Sequence, residues 1–419
     1  MTISSEQVAA AHAKQALDSL RRLRLSVLLV SLPFGMIVLG LPLVARELGA
    51  SALVIGGLLS ASALILVVVQ PIIGLGLDRY GRRPFLIVGL LAYALSSAIF
   101  ALASGITGLF LAQMAQGIGA GLFWLAVLTI TSDLASDDSL GEGFGGVEEM
   151  SIRGILVGKM AAFALFYLLN GEALGSESSW ITIWRLLFLG FTAASLLAAA
   201  IVWRGIPESL ERNTDRAQKE RPVQSDHKWR LSSQLRIVFG IVILTASAGE
   251  IISPILIKYL NDNLATSLFA IALAFLPAAL AGSVLPSRLG GLSDRIGRRP
   301  PLVGALLMGA VATLAVPFVQ SLWPLALVWV LEAAAFAAAV PAEEALVVDL
   351  AGDEKRGMTM GLYTAAAGLG AVIGPLLGGW LFDSFHVMSV FGTAALLLAL
   401  GAGSIVLFVR EPSKPGDHR

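Results

Sequence analysis

The chain of 419 residues is 56% hydrophobic and 14% charged, with 29 Lys and Arg balanced by 29 Asp and Glu. A soluble domain is about 45–50% apolar and about 25% charged, so this composition excludes an ordinary water-facing fold and makes the bilayer the predicted solvent. Zero net charge argues against nucleic-acid binding, which draws on clustered cations. The absence of cysteine excludes disulfides, a thiolate nucleophile and Cys-ligated metal. The four histidines, His12, His227, His386 and His418, lie outside the apolar runs, so no buried His-based metal site, no cofactor and no catalytic group are expected.

In chain order, residues 1–24 read as a cytoplasmic amphipathic segment. A bilayer core about 30 Å thick takes roughly 20 residues of helix, and twelve runs meet that length: 25–45, 51–77, 85–104, 106–130, 147–169, 181–202, 237–260, 264–285, 301–319, 323–348, 361–381 and 387–409. The first is too long for a signal-peptide core and leads straight into the second. The predicted class is an all-α membrane protein of 12 transmembrane helices. Six form an N-terminal bundle over 25–203 and six a C-terminal bundle over 237–409, joined by a charged linker, 204–236, and followed by a tail, 410–419. With a cytoplasmic N-terminus, 24 of the 29 Lys and Arg fall on that side, and the positive-inside rule then makes both termini cytoplasmic.

An internal repeat organises the chain. Gly74-Leu-Gly-Leu-Asp78-Arg79-Tyr-Gly81-Arg82-Arg83-Pro84 returns 216 residues later as Gly290-Gly-Leu-Ser-Asp294-Arg295-Ile-Gly297-Arg298-Arg299-Pro300. The same offset carries Asp133 onto Asp349, Gly154 onto Gly370 and Gly158 onto Gly374. Two homologous bundles place a binding site at the repeat interface near the midplane.

These motifs resemble the major facilitator superfamily over essentially the whole chain. The resemblance implies a gating latch in each half: Asp78, Arg82 and Asp133 with Arg79 and Arg83, and Asp294, Arg298 and Asp349 with Arg295 and Arg299. It also implies that helices 1, 4, 7 and 10 line a central cavity. Gly370-Ala-Val-Ile-Gly374-Pro375-Leu-Leu-Gly378-Gly379 in helix 11 is similar to an element that drug:proton antiporters carry in helix 5. Here helix 5 has Lys159 where that element has proline, and Gln113 stands where those antiporters have an arginine in helix 4.

Ionisable residues inside spans are expensive and mark function or pairing. Glu149 and Arg153, at i,i+4, suit an ion pair, read either as structural or, with Lys159, as a proton-coupling candidate. Glu343 and Glu344 read as a wet helix end beyond a hinge at Pro341. Glu332, near mid-membrane with Trp329 and Phe336 on its face, suits a cavity wall that recognises a lipophilic or cationic ligand, and Gln113, Gln116 and Trp124 form the matching stripe on helix 4. Glu250, between Ser247 and Ser253, is the second candidate. Proton coupling through Glu332 or Glu250, neutralisation by Lys159 and direct ligand binding stand as alternatives. The segment from Gly154 to Lys159 lacks the spacing and the hydroxyl of a phosphate loop, so an enzyme is not expected. The functional expectation is a monomeric secondary transporter that takes a small-molecule substrate and couples to H+, exporting a lipophilic or cationic compound. Metabolite symport, lipid flipping and a non-transporting scaffold remain as alternatives.

Overall fold

Apolar runs of this length satisfy their own backbone hydrogen bonds as helices, the form a bilayer demands of a single segment. A computed structural model of the chain describes residues 5–50, 52–170, 177–208, 231–253, 255–256, 259–260, 264, 268–351 and 356–411. Most of the linker, the tail beyond residue 411, Lys258, Asp353 and Glu354 lie outside the described residues. The helices, in chain order, are α1 (Ser5–Glu47), α2 (Ala52–Tyr80), α3 (Arg83–Leu102), α4 (Ile106–Leu134), α5 (Leu140–Asn170) and α6 (Glu177–Gly205). They continue as α7 (Ser233–Glu250), α8 (Leu268–Gly282), α9 (Pro286–Ile296), α10 (Arg299–Ala315), α11 (Leu322–Ala351), α12 (Arg356–Ser384) and α13 (Val387–Phe408). Among the described residues no strand occurs. Seven of these helices are long and apolar enough to cross a membrane, and α8 with α9 adds an eighth if that pair, bent by 43°, is one span.

The chain divides into two units, Met1–Ala135 with Met150–Glu220, and Ser136–Glu149 with Arg221–Arg419. In the first unit α3 packs on α4 and α6, α2 on α4, and α1 on α6. Its core gathers Leu41, Phe100, Leu109, Trp184 and Phe188, and the Trp184 indole donates to the Phe100 carbonyl at 2.9 Å. In the second unit α7 packs on α12, while α10 packs on α11 and α13, with Leu325, Trp329, Val316 and Phe391 inside. Exposed Leu91, Leu95, Leu196, Val311 and Leu407 suit surfaces that face lipid.

Gly154 and Gly158 of α5 lie against the Leu28 and Leu32 carbonyls of α1, and Gly370 and Gly374 of α12 against the Ile243 and Ser247 carbonyls of α7. A Cβ at any of the four would collide with backbone, which explains why glycine recurs at the 216 spacing.

Two local features differ from the sequence expectation. The amphipathic segment and first span form one uninterrupted helix, α1. The repeated motifs stay helical through Tyr80 and Ile296, because only Gly81 (φ 93°) and Gly297 (φ 96°) leave the helical region. Pro341, the expected hinge, stands inside α11, which is helical on both sides of it.

Candidate functional site

The backbone at Gly81 and Gly297 turns through left-handed φ, which an L side chain rarely adopts. A Cβ there would also meet the carboxylate of Glu208 or Glu411. Those carboxylates cap the next helix: Glu208 accepts from the Arg82 and Arg83 amides at 2.8 and 3.1 Å, and Glu411 from those of Arg298 and Arg299 at 2.5 and 3.1 Å. An anion at a helix N-terminus meets unsatisfied N–H groups and the positive end of the dipole. Glu208 and Glu411 escape the 216 offset because the two halves differ in length beyond helix 5.

The turn delivers one buried arginine to each unit. Arg82, 2% exposed, donates from Nε to Asp133 at 3.0 Å, from Nη2 to Asp78 at 3.4 Å and from Nη1 to the Leu77 carbonyl at 2.9 Å. Arg298 donates from Nε to Asp349 at 2.9 Å and from Nη1 to Asp294. Burial alone would lower the Arg298 pKa; the charge of Asp349 and hydrogen bonds to Asp294 and Asp349 hold it above the ordinary arginine value. Asp294 also accepts the Gly141 and Glu142 amides, both at 2.9 Å, tying α9 to the start of α5.

The remaining arginines of the motif do different work. Arg83 donates to the Trp203 carbonyl at the end of α6 and lies over the Trp203 ring, and Arg299 donates to the Ile405 and Val406 carbonyls near the end of α13. Each cation meets the negative end of a helix dipole, so neither joins the aspartates as the sequence reading grouped them. Arg79 lies over the Tyr80 ring, and Arg295 stands in the last turn of α9.

Gln113 and Gln116 are 2% and 6% exposed, and each Oε1 is buried without a hydrogen-bond partner among the described residues. Trp124, on the same face of α4, meets Phe123 edge-on. In the second unit Glu332 accepts from Thr313 of α10 at 3.2 Å. Trp329 is buried against Phe275 of α8, whereas Phe336, about 10 Å further along the helix axis, is 51% exposed. The three therefore do not form one wall. Glu250 is exposed at the end of α7. Glu149 accepts from Ser287 Oγ at 2.5 Å. Arg153 lies one turn further along α5, in the other unit's share of that helix. Lys159 packs its stem against Gly35 and forms no ion pair with a described residue.

One grouping is absent from the sequence reading. Glu343 and Glu344 of α11, Glu148 of α5 and Tyr363 of α12 come together in the second unit. The Tyr363 hydroxyl donates to Glu343 at 3.1 Å, and the charges of Glu148 and Glu343 act on Glu344. Glu344 is 8% exposed, and no described Lys or Arg pairs with any of the three carboxylates. The signal lay in the repeat: at the 216 offset Glu343, Glu344 and Tyr363 fall on Val127, Leu128 and Val147, all buried and apolar. The acids are thus not a requirement of the shared fold.

The profile of the family described as Major Facilitator Superfamily matches residues 23–285 and 238–419. Multidrug resistance protein 1 of Bacillus subtilis is 24% identical over 387 residues, 91% of this chain and 95% of the relative. Quinolone resistance protein NorA of Staphylococcus aureus is 22% identical over 391 residues, 92% and 95% of the two chains. Among solved structures, the human organic anion transporter MFSD10 (TETRAN) superposes with a TM-score of 0.73 at 19% identity, over 93% of this chain and 99% of that one. The proton:xylose symporter XylE gives 0.73 at 16%, over 96% and 97%.

Proposed function

The chain belongs to the major facilitator superfamily of membrane transporters, an all-α fold of twelve transmembrane helices in two six-helix bundles, and on that premise we propose that it exports a lipophilic or cationic small molecule in exchange for protons. Relatives named for multidrug and quinolone resistance support export. Proton exchange rests on one observation above all: Glu148, Glu343, Glu344 and Tyr363 share a site that no described Lys or Arg neutralises, while the residues 216 positions before Glu343, Glu344 and Tyr363 are apolar. Like charges in a low-dielectric site repel, so such a group binds protons in common rather than ionising fully. Glu344 is the assigned carrier and Tyr363 orients Glu343 beside it. Glu332, held by Thr313, becomes a positioning group.

Substrate meets the unpartnered amides of Gln113 and Gln116 and the indole of Trp124, groups suited to hydrogen-bond donors and cationic or aromatic surfaces. The two arginine–aspartate latches hold each unit's helices in register, and their rupture accompanies alternating access. Both termini and the 204–236 linker lie in the cytoplasm, and the chain works as a monomer in the cell membrane.

Transport of a fluorescent lipophilic cation in proteoliposomes under an imposed pH gradient tests the reading. Wild type should accumulate dye against its gradient, and Glu344→Gln should keep downhill flux and lose the gradient-driven part. Wild-type flux indifferent to the proton gradient would overturn proton exchange.

A further inference from the structure

A second feature, independent of the transport reading, lies at the end of the first unit where the arginine-rich turn sits. There α1, the start of α3 and the end of α6 border an open cavity of about 560 Å³. Lys14, Arg22, Arg83 and Arg204 line it, with Asp18 as the one acid and Trp203 at its edge. Lys14, Asp18 and Arg22 are spaced i, i+4, i+8 along one face of α1, yet Asp18 forms no ion pair with a described residue. Among the described residues, Asp18 therefore does not cancel these cations by pairing. Glu208, just beyond the cavity, has both carboxylate oxygens engaged by the Arg82 and Arg83 amides.

Two of these arginines also have a structural task. Arg83 donates to the Trp203 carbonyl and Arg22 to the Gly205 carbonyl, the latter at 2.7 Å. The second unit shows how much of that task requires charge. Arg299 repeats the role of Arg83 on Val406, but two residues further on the Phe408 carbonyl is met by Gln234 Nε2 at 3.2 Å. A neutral amide thus suffices where the first unit uses Arg22. The charge of Arg22, and those of Lys14 and Arg204, exceed what capping the helix needs. Each guanidinium has five N–H donors and each cap uses one; Arg83 Nε is buried with no partner among the described residues. Trp203, 65% exposed, places an amphipathic ring where such residues meet headgroups.

We infer that this cavity binds a phosphate ester, as the headgroup of an anionic phospholipid or as a soluble phosphate. Preorganised guanidinium groups match phosphate geometry, and each cation near a charged membrane surface strengthens such binding by about fivefold.

Native mass spectrometry of the full, delipidated protein titrated with phosphatidylglycerol or phosphatidylcholine tests the site. Wild type should retain one phosphatidylglycerol and bind phosphatidylcholine at least about tenfold more weakly. Arg22→Gln, which installs the second unit's cap, should weaken phosphatidylglycerol about fivefold, and Asp18→Asn should tighten it by a similar factor. The gain in Asp18→Asn keeps the test decisive if Arg22→Gln is poorly folded. Competition by inorganic phosphate or glycerol phosphate at low millimolar concentration identifies a soluble ligand, and its absence a lipid headgroup. Equal retention of both lipids without displacement by phosphate overturns the site, as does an Asp18→Asn variant that binds like wild type.

Discussion

Arg82 and Arg298 occupy equivalent places, each between an aspartate one turn back on its own motif helix and a second aspartate at the end of a neighbouring span. Glu208 and Glu411 cap the following helix in the same way. The interiors nearby diverge: α4 carries Gln116, Val127 and Leu128 where α11 carries Glu332, Glu343 and Glu344. What both units keep, a buried arginine between two aspartates and a capping glutamate, belongs to the repeated fold. What only one unit has is free to serve this protein's own chemistry, and the proposed function assigns protons to the second unit and neutral polar recognition to the first.

The largest effect should come from breaking the shared part. Removing one partner of a buried ion pair strands the other charge at about 3–5 kcal/mol, so Arg82→Ala and Arg298→Ala should each lower the melting temperature sharply and stop transport. A large drop in one and none in the other, measured by thermal shift in the same detergent, would break the equivalence of the units.

Next in size are Gly81→Ala and Gly297→Ala, which combine a strained φ with displacement of the capping carboxylate; each should cost about 1–3 kcal/mol. The same thermal measurement checks them, and a neutral Gly297→Ala would mean that the second turn is not held as the first is.

The unshared part responds to pH. Glu344→Gln removes like-charge repulsion and should stabilise the protein by about 1 kcal/mol or more at alkaline pH. The gain should fade as acid neutralises the neighbouring carboxylates in wild type. Melting curves across pH read this out, and a gain that does not depend on pH would argue against a shared proton. The smallest effect is expected for Glu332→Gln, which keeps an acceptor for Thr313; stability should stay within about 0.5 kcal/mol and the pH profile of transport should be unchanged. A lost pH dependence in that variant would move the proton site to Glu332.

Much of this was legible in the residue order. Periodicity-free apolar runs announced helices, and the offset of 216 announced two bundles and both arginine–aspartate sets, because identical local sequence folds identically. Gln113 and Gln116 were legible as a buried polar stripe, since polar residues in a span are costly enough to stand out. Glu343 and Glu344 were misread as a helix end, because their neighbours come from helices distant in sequence: Glu148 lies about 195 residues upstream and Tyr363 on the next helix. Trp329 and Phe336 share a face in projection, but one is covered by α8 and the other is not.

The sequence by itself determined the solvent, the class and the two-fold internal repeat with its recurring glycines, since these depend on composition and residue order. Only the tertiary structure decided which carboxylates meet, that Arg83 and Arg299 cap helices instead of joining the aspartates, and that four basic residues from three helices line one open cavity. Charge interactions fall off with distance in space, not along the chain, and no spacing rule in one dimension reports that distance.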